Sequence, residues 1–421
     1  MSCFHGGEGA RGAAADFSSN TCPLGSHTAV RGVFESLARN IDELALYPDR
    51  EGAILKKALA EFWGFHGGIL LGGGAADLIQ LTSCVLGNFR SSQKGKKAGN
   101  IIVEPAFSEY ENALKIVCSN EQIIHLTLSE SNGFSFADED LARLKAVLLS
   151  RAISLVFIAS PSNPAGTVID FKRLSEIVSL CEAHGAITVI DACFCQFSSE
   201  AENCVRQMIK KAGEFQNVIL LNAFTKIYGM AALRSGYALC FNRTIYERLC
   251  RRSRPWAMSL EAQMASAAVI KSEEASGKSW QNRVKSLVQE EKAVLIDYLS
   301  SLGTGVSFIK GEANFILFKL SSELQAAAEF FLKKRGDFKS FSDDSIDTRE
   351  SKKDYKEHPD LSPLCRALLK KRVLIRGCAD FRGLDESWYR CAVKTRQENK
   401  LLIEALKDIF KDISNERSRS K

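Results

Sequence analysis

The stretch Ala186–Phe194, AITVIDACF, is the clearest indication of the fold. Its run of apolar and β-branched residues predicts a buried strand that ends at Asp191. Similar runs occur at Ile101–Val103, Ser154–Ile158 and Val218–Leu221, each followed by a turn signal or a polar residue. Continuous apolar strands are typical of a parallel sheet that helices cover on both faces.

Helical patterns fill the intervals between these strands, as in Glu109–Val117 and Asp170–Ala183. The alternation predicts an α/β fold with a large, doubly wound and mostly parallel sheet. Ligands bind such sheets at the carboxyl ends of the strands. We therefore expect the functional residues in the segments that follow the strands.

The pattern differs at both ends of the chain and predicts a second, smaller α+β domain. We expect residues 1–48 to form an N-terminal arm and part of the small domain, 49–285 the large domain, and 286–421 the rest of the small domain. Residues 333–363 are charge-dense and indicate a solvated insertion. The other elements predicted from 260 onward are a helical stretch over Leu260–Ser300, strands at Ala313–Leu320, Val373–Arg376 and Trp388–Val393, and a final helix at Arg396–Phe410.

The composition excludes several classes of protein. The chain has 421 residues, of which 45% are hydrophobic and 25% charged, as in soluble globular proteins. Its formal net charge of +6 is too small and too evenly spread to indicate nucleic-acid binding. No window approaches the roughly 20 apolar residues of a membrane helix, and residues 1–7 lack the pattern of a secretory signal. We expect a cytoplasmic protein with no membrane or nucleic-acid partner.

The 13 cysteines are scattered over the whole chain. Their odd number and apolar surroundings favour buried, reduced thiols. Cys193 and Cys195 form a Cys-x-Cys pair, but no second pair stands at a spacing typical of zinc, so we expect no metal site. Apolar packing and redox sensitivity both remain open as explanations for these two thiols beside Asp191.

Three segments that follow predicted strands carry candidate chemistry. They are Ser160–Thr167 (SPSNPAGT), Asp191–Phe194 (DACF) and Asn222–Lys226 (NAFTK), the last followed by Leu233–Tyr237 (LRSGY). Taken singly, each fits a turn, a helix cap or a solvated lysine. Together and in this order, they resemble fold-type I enzymes that use pyridoxal 5′-phosphate (PLP), the aspartate-aminotransferase-like fold.

This resemblance implies specific roles for four residues. Lys226 would form the Schiff base with the cofactor aldehyde and later act as acid and base. Asp191 would pair with the pyridinium nitrogen, and Asn163 would bind the phenolic oxygen of the ring. Arg234 would bind the cofactor phosphate. The resemblance also implies cofactor contacts for Gly74, Ala75, Ala76, Phe107, Phe194, Thr225 and Tyr47.

Tyr47 occupies the position from which relatives reach the cofactor phosphate of a neighbouring subunit, so the resemblance implies a homodimer. Three positions depart from the family's pattern. Ala223 stands where a phosphate-binding Ser is common, Phe194 replaces a frequent Tyr, and Ala192 replaces a frequent Glu. The missing hydroxyl groups each remove a neutral hydrogen bond worth about 1 kcal/mol. The expected consequence is no more than weaker cofactor binding.

The chain ends carry the information about the substrate. The stretches Val373–Leu384 (VLIRGCADFRGL) and Trp388–Asn399 (WYRCAVKTRQEN), with His5 and Asp16–Asn20 at the other end, resemble threonine-phosphate decarboxylases. These enzymes are relatives of histidinol-phosphate aminotransferases. The resemblance implies that Arg390 binds the substrate's α-carboxylate.

The same resemblance implies that Arg376 binds the substrate's phosphate, because guanidinium fits both anionic groups. His5 would assist at the phosphate, and Asn20 would line the pocket. The expected reaction is decarboxylation of O-phospho-L-threonine to (R)-1-aminopropan-2-yl phosphate for cobamide synthesis. O-phospho-L-serine, giving ethanolamine phosphate, remains an alternative substrate. Aminotransfer on histidinol phosphate is a second hypothesis. A PLP-binding regulator is a third, which the missing DNA-binding extension disfavours.

Overall fold

A computed structural model of the chain describes residues 6–7, 12–90, 98–334 and 362–411. His5 and residues 335–361 of the predicted insertion lie outside the described residues. The helices are α1 (Thr28–Arg39), α2 (Ala53–Trp63), α3 (Ala75–Leu86), α4 (Glu109–Lys115), α5 (Asp138–Ser150), α6 (Phe171–Ala183), α7 (Ser199–Lys210), α8 (Arg243–Cys250), α9 (Leu260–Ala275), α10 (Ser279–Ser301), α11 (Ser322–Lys334), α12 (Pro363–Leu369) and α13 (Arg396–Ile409). The strands are β1 (Ala15–Asp16), β2 (Gly68–Gly72), β3 (Gly99–Glu104), β4 (Ile123–Thr127), β5 (Ile153–Ala159), β6 (Ile187–Asp191), β7 (Val218–Ala223), β8 (Gly236–Cys240), β9 (Val306–Ile309), β10 (Phe315–Leu320), β11 (Val373–Leu374), β12 (Arg376–Gly377) and β13 (Trp388–Ala392).

The chain divides into two compact units. The large unit comprises residues 21–286 and 310–313, and the small unit the described residues of 1–20, 287–309 and 314–421. The large unit therefore begins at Thr21, whereas the sequence suggested an arm that runs to residue 48. The reason is that α1 packs on α9, where the ring of His27 lies 3.6 Å from the carboxylate of Glu273.

The large unit contains a seven-stranded sheet with the strand order β2-β8-β7-β6-β5-β3-β4. The pairs among β3, β4, β5, β6 and β7 are all parallel, and β8 is antiparallel to both of its neighbours. Every residue of β6 and β7 is buried, as their continuous apolar sequences predict. The predicted α/β fold with a mostly parallel sheet is confirmed.

The core of this unit forms where helices α3, α4 and α8 pack on the sheet. Buried side chains of the helices contact those of the strands over one continuous apolar cluster. Members of this cluster include Leu78, Ile79, Tyr110, Leu114, Leu249, Ile102, Phe157, Val189 and Ile219. Strands β3, β5, β6 and β7 all contribute side chains to this cluster, which packs them against the helices.

The predicted helical stretch Leu260–Ser300 is two helices, α9 and α10. Gly277 and Lys278 interrupt it, both with φ of +62°, a left-handed conformation incompatible with a continuous helix. The carboxylate of Glu273 accepts hydrogen bonds from the backbone N–H groups of Trp280 and Gln281 at 3.1 Å. It therefore caps the N-terminus of α10, where a negative charge is stabilised.

Glu202 on α7 is a second buried carboxylate of the large unit. It binds the ammonium groups of Lys278 and Lys285 and the guanidinium of Arg206. Hydrogen bonds and charge from the two lysines outweigh its burial and lower the pKa of Glu202 to about 2. This cluster links α7 to the region where α10 begins.

The small unit has a four-stranded antiparallel sheet with the order β12-β13-β10-β9. Beside it, β1 pairs in parallel with β11, so residues from both ends of the chain share this unit. Helix α13 begins at a capping box formed by Thr395 and Glu398. In the antiparallel pair β12–β13, Arg376 is the direct register partner of Arg390.

Candidate active site

The segments that follow four parallel strands carry the predicted cofactor residues. Asp191 is the last residue of β6, and its register partner Ala159 ends β5 just before Asn163. Lys226 follows β7, the other neighbour of β6. Because the carboxyl ends of parallel strands lie on one edge of a sheet, the structure brings these residues to the same edge.

Two hydrogen bonds hold the carboxylate of Asp191. The Tyr110 hydroxyl donates to Oδ2 at 2.7 Å, and the Cys193 backbone N–H donates to Oδ1 at 3.0 Å. Burial, and then the charge of Asp191, raise the pKa of Tyr110 well above its ordinary value, so the phenol remains a neutral donor. The same two causes raise the pKa of the Cys193 thiol. This carboxylate is therefore fixed in direction by two uncharged donors.

Lys226 lies beside the aromatic ring of Phe194. Its Nζ is 5.8 Å from the centroid of the buried Phe194 ring, and its charge acts on the Cys193 thiol next to Asp191. Thr225, directly before the lysine, is also buried. A half-buried amine in such surroundings can bind a carbonyl carbon covalently and afterwards carry a proton.

Asn163 stands in a tight turn after β5. Ser162 and Thr167 close the turn, since their hydroxyl oxygens are 2.8 Å apart and the Thr167 N–H donates to Ser162 Oγ. Gly166, with φ of +74°, completes the turn and donates its N–H to the Ser162 carbonyl. This network fixes the backbone at Asn163.

A cradle for an anionic group is formed by the N-terminus of α3 and Arg234. Gly74 precedes the helix with φ of +95°, and a Cβ added there would lie 2.9 Å from Arg234 Nη2. Ala75 and Ala76 form the first turn of α3, where backbone N–H groups point out of the helix. A helix N-terminus with an adjacent guanidinium suits a phosphate.

Two aromatic residues that the sequence singled out have different surroundings. Phe107 is half-buried and meets the Tyr110 ring edge to face, with 6.0 Å between the centroids. Tyr47 is 80% exposed and stacks on Trp256 at 4.5 Å. Tyr47 is therefore a surface residue of the single chain, available to another molecule.

Among the predicted substrate residues, Arg390 is buried in the small unit. Its Nη2 donates to the Ser18 carbonyl at 2.8 Å, and its guanidinium lies over Phe315. Burial, with a smaller contribution from the charge of Arg376, lowers the pKa of Arg390 to about 10. An anion bound here would offset the cost of burying this cation.

Arg376 and Asn20 are also buried in the small unit. Arg376 forms an ion pair with Asp380, with 2.5 Å between Nη2 and Oδ2. The side-chain Oδ1 of Asn20 is enclosed and has no hydrogen-bond partner among the described residues. The Asn20 carbonyl accepts a weak hydrogen bond from Asn314 Nδ2 at 3.4 Å.

Tyr110 and Asp380 are the contacts that the sequence did not predict. Tyr110 lies in the first turn of α4, three residues after Phe107, which precedes the helix. That spacing was the available signal. The contact with Asp191 depends on a strand 81 residues further along the chain, and no local pattern predicts it.

The described residues contain no group of three or more His, Cys, Asp or Glu side chains that could hold a metal ion. No disulfide joins any of the cysteines in the described ranges. In the same part of the chain, no helix is long and apolar enough to cross a membrane.

The profile of the family described as aminotransferase class I and II matches residues 14–406. The chain therefore belongs to the class I and II aminotransferase family. It is 26% identical over 400 residues to the threonine-phosphate decarboxylase of Salmonella typhimurium, covering 95% of this chain and 92% of that protein. It is 28% identical to the histidinol-phosphate aminotransferase of Moorella thermoacetica, covering 93% and 84%.

The fold is also that of a solved histidinol-phosphate aminotransferase from Clostridium acetobutylicum. The TM-score is 0.73 at 22% identity, over 94% of this chain and 99% of that one. The protein is an enzyme of this superfamily, and its cofactor is PLP. The residues described above fit PLP, since the cradle at Gly74 and Arg234 suits its phosphate and Asp191 suits a protonated ring nitrogen.

Proposed function

We propose that the protein decarboxylates O-phospho-L-threonine, releasing CO₂ and (R)-1-aminopropan-2-yl phosphate. The observation that carries the proposal is the cross-strand pair of buried arginines, Arg376 and Arg390. Like charges directly opposite each other in a sheet are destabilising. A ligand with two anionic groups relieves this repulsion, and a phosphorylated amino acid supplies a phosphate and a carboxylate on one molecule.

In this proposal, the large unit binds the cofactor. Arg234 and the first turn of α3 hold its phosphate, Asn163 binds its phenolic oxygen, and Asp191 keeps a proton on its ring nitrogen. Bound PLP supplies an electron sink for the pair of electrons left at the substrate's α-carbon. Lys226 would hold the cofactor through its amine, and after CO₂ has left it would donate a proton to the substrate's α-carbon.

Arg390 and Arg376 bind the substrate in this scheme. Arg390 would hold the α-carboxylate, the group that leaves as CO₂. Arg376 holds the phosphate through its planar fork. Asn20, whose enclosed Oδ1 accepts no hydrogen bond from the described residues, would bind the substrate beside them. Phosphoserine lacks one methyl group, a difference worth roughly 1–3 kcal/mol.

Aminotransfer on histidinol phosphate is the second candidate, and the 28% identity to the Moorella thermoacetica enzyme supports it. Histidinol phosphate has a phosphate but no carboxylate. It would therefore occupy one of the two arginines at a time. The paired arginines therefore fit a phosphorylated amino acid better than they fit histidinol phosphate itself.

We further propose that the enzyme is a homodimer in which Tyr47 reaches the partner's cofactor phosphate. The chain on either side of Tyr47 carries exposed apolar side chains. Leu46, Ile54 and Ile41 are 71%, 67% and 60% exposed. Apolar side chains so close together on a surface favour burial against another chain.

The test is to incubate the protein and PLP with phosphothreonine, phosphoserine, or histidinol phosphate plus 2-oxoglutarate, and to measure CO₂ and glutamate. We expect CO₂ from phosphothreonine and no glutamate. Glutamate without CO₂ would replace decarboxylation by aminotransfer. The matched control is Lys226→Ala, which should release neither product.

A further inference from the structure

The fork of Arg376 is already engaged within the chain. Its Nη2 contacts Asp380 Oδ2 at 2.5 Å, and its Nη1 donates to the Gly377 carbonyl at 2.5 Å. The guanidinium lies 5.3 Å from the centroid of the Phe381 ring. A phosphate that uses both terminal nitrogens must therefore share or replace these partners.

Arg390 and Asp380 are charged side chains beside this fork. Arg390 faces Arg376 in register, and Asp380 contacts it. The nearby thiols of Cys365 and Cys378 are neutral, because burial raises their pKa to about 11 and about 12. These two arginines and this carboxylate together carry a net charge of +1, so Asp380 halves the positive charge of the arginine pair.

The two partners of the ion pair differ in solvent exposure. The side chain of Arg376 is 9% exposed, whereas that of Asp380 is 35% exposed and stands in the turn after β12. Asp380 can exchange Arg376 for water at little cost, but Arg376 cannot leave its site. A phosphate monoester carries about −1.5 to −2 charges at pH 7, against one on Asp380, and can displace it.

We propose that Asp380 is an internal counter-ion that competes with the substrate's phosphate for Arg376 and so weakens the binding of phosphate-bearing ligands. The inference rests on the proposed function, in which Arg376 binds phosphate. Decarboxylation removes the carboxylate and leaves a product held at this site by its phosphate. When Asp380 pairs with Arg376 again, the product's phosphate loses its contact with Arg376 and the product is released.

The test compares the wild-type holoenzyme with Asp380→Asn. Calorimetry gives the dissociation constants of inorganic phosphate and of 1-aminopropan-2-yl phosphate, and stopped-flow spectroscopy gives the release rate of the latter. The amide removes the charge and keeps the shape. We expect both ligands to bind roughly tenfold more tightly to the variant, since one competing charged contact is lost. Release should slow by a similar factor.

Three controls make the result specific. Glu386→Gln removes an exposed carboxylate from the same segment and should leave phosphate binding unchanged. L-Threonine, which lacks phosphate, should bind equally to the wild type and to Asp380→Asn. Asp380→Ser removes the same charge with a smaller side chain, and it should also tighten phosphate binding.

The outcomes separate this inference from the proposed function. If Arg376→Gln weakens phosphate binding but neither Asp380 variant tightens it, the counter-ion role is wrong and the phosphate site stands. If Arg376→Gln leaves phosphate binding unchanged, the phosphate site and the counter-ion role both fail. Weaker phosphate binding in both Asp380 variants would show that the carboxylate only orients Arg376, which also overturns the inference.

Discussion

Substituting Tyr110 by Phe removes one hydroxyl and keeps the ring. The ring would still stack on Phe157, with centroids 5.1 Å apart and planes 13° apart. The lost contact is the 2.7 Å hydrogen bond to Asp191. Asp191 would keep the donation from the Cys193 N–H on its other oxygen. The variant therefore isolates one donor to one buried carboxylate.

The expected cost follows from this geometry. A hydrogen bond to a charged group contributes about 1.5–3 kcal/mol, and water cannot readily replace a donor that is fully buried. Without PLP, the Tyr110→Phe protein should be destabilised by about 2 kcal/mol, which lowers the melting temperature of a chain of this size by roughly 2–4 °C. With PLP bound, the loss should be smaller, because the protonated ring nitrogen then supplies Asp191 with another donor.

The assay is calorimetric melting of the apoenzyme and the holoenzyme for the wild type and the variant. Tyr298→Phe is the matched control. Its hydroxyl is buried and has no hydrogen-bond partner among the described residues, so its loss should shift the melting temperature very little. Equal shifts in the two variants would refute the reasoning, as would a larger loss in the holoenzyme than in the apoenzyme.

Three further predictions concern cofactor binding and pH. Lys226→Ala should abolish the visible absorbance of the bound cofactor, recorded by spectrophotometry; a persistent band would contradict the Schiff-base assignment. Gly74→Ala places a Cβ 2.9 Å from Arg234 Nη2 at a φ of +95°, and should weaken PLP binding at least tenfold in a fluorescence titration; unchanged affinity would place the phosphate elsewhere. Because the folded-state pKa of Glu202, about 2, lies below its ordinary 4.5, its stabilising contribution is complete above pH 4.5 and is lost as the pH falls towards 2. Glu202→Gln should remove roughly 2–3 kcal/mol at neutral pH and flatten the unfolding free energy over that range; a profile parallel to the wild type would exclude this role.

The four central strands could be predicted because each is a continuous apolar run buried on both faces. Strands β2 and β8 each begin with glycine and contain few β-branched residues, and β2 also ends with glycine. A search for continuous β-branched runs therefore does not detect them. The break between α9 and α10 depends on two left-handed residues, of which only Gly277 gave a local signal.

The shared sheet edge of Asn163, Asp191 and Lys226 could be predicted, because each residue ends or follows a strand of the parallel sheet. The neighbours of those residues could not. The donor to Asp191 comes from α4, and the counter-ion of Arg376 was one of several acidic residues in an unremarkable turn. Such pairs are set by side-chain directions, which a one-dimensional pattern does not contain.

The register of β12 against β13 has a consequence for the length of any molecule that spans both arginines. Directly opposed residues of an antiparallel pair have Cα atoms about 4.5–5.5 Å apart, and Arg376 and Arg390 are such residues. The backbone thus sets the separation of the two Cα atoms from which the arginine side chains extend towards the ligand's anionic groups. Shifting β12 by a single residue would turn its arginine to the opposite face, so an insertion in the connecting loop is tolerated only where it leaves this alignment intact.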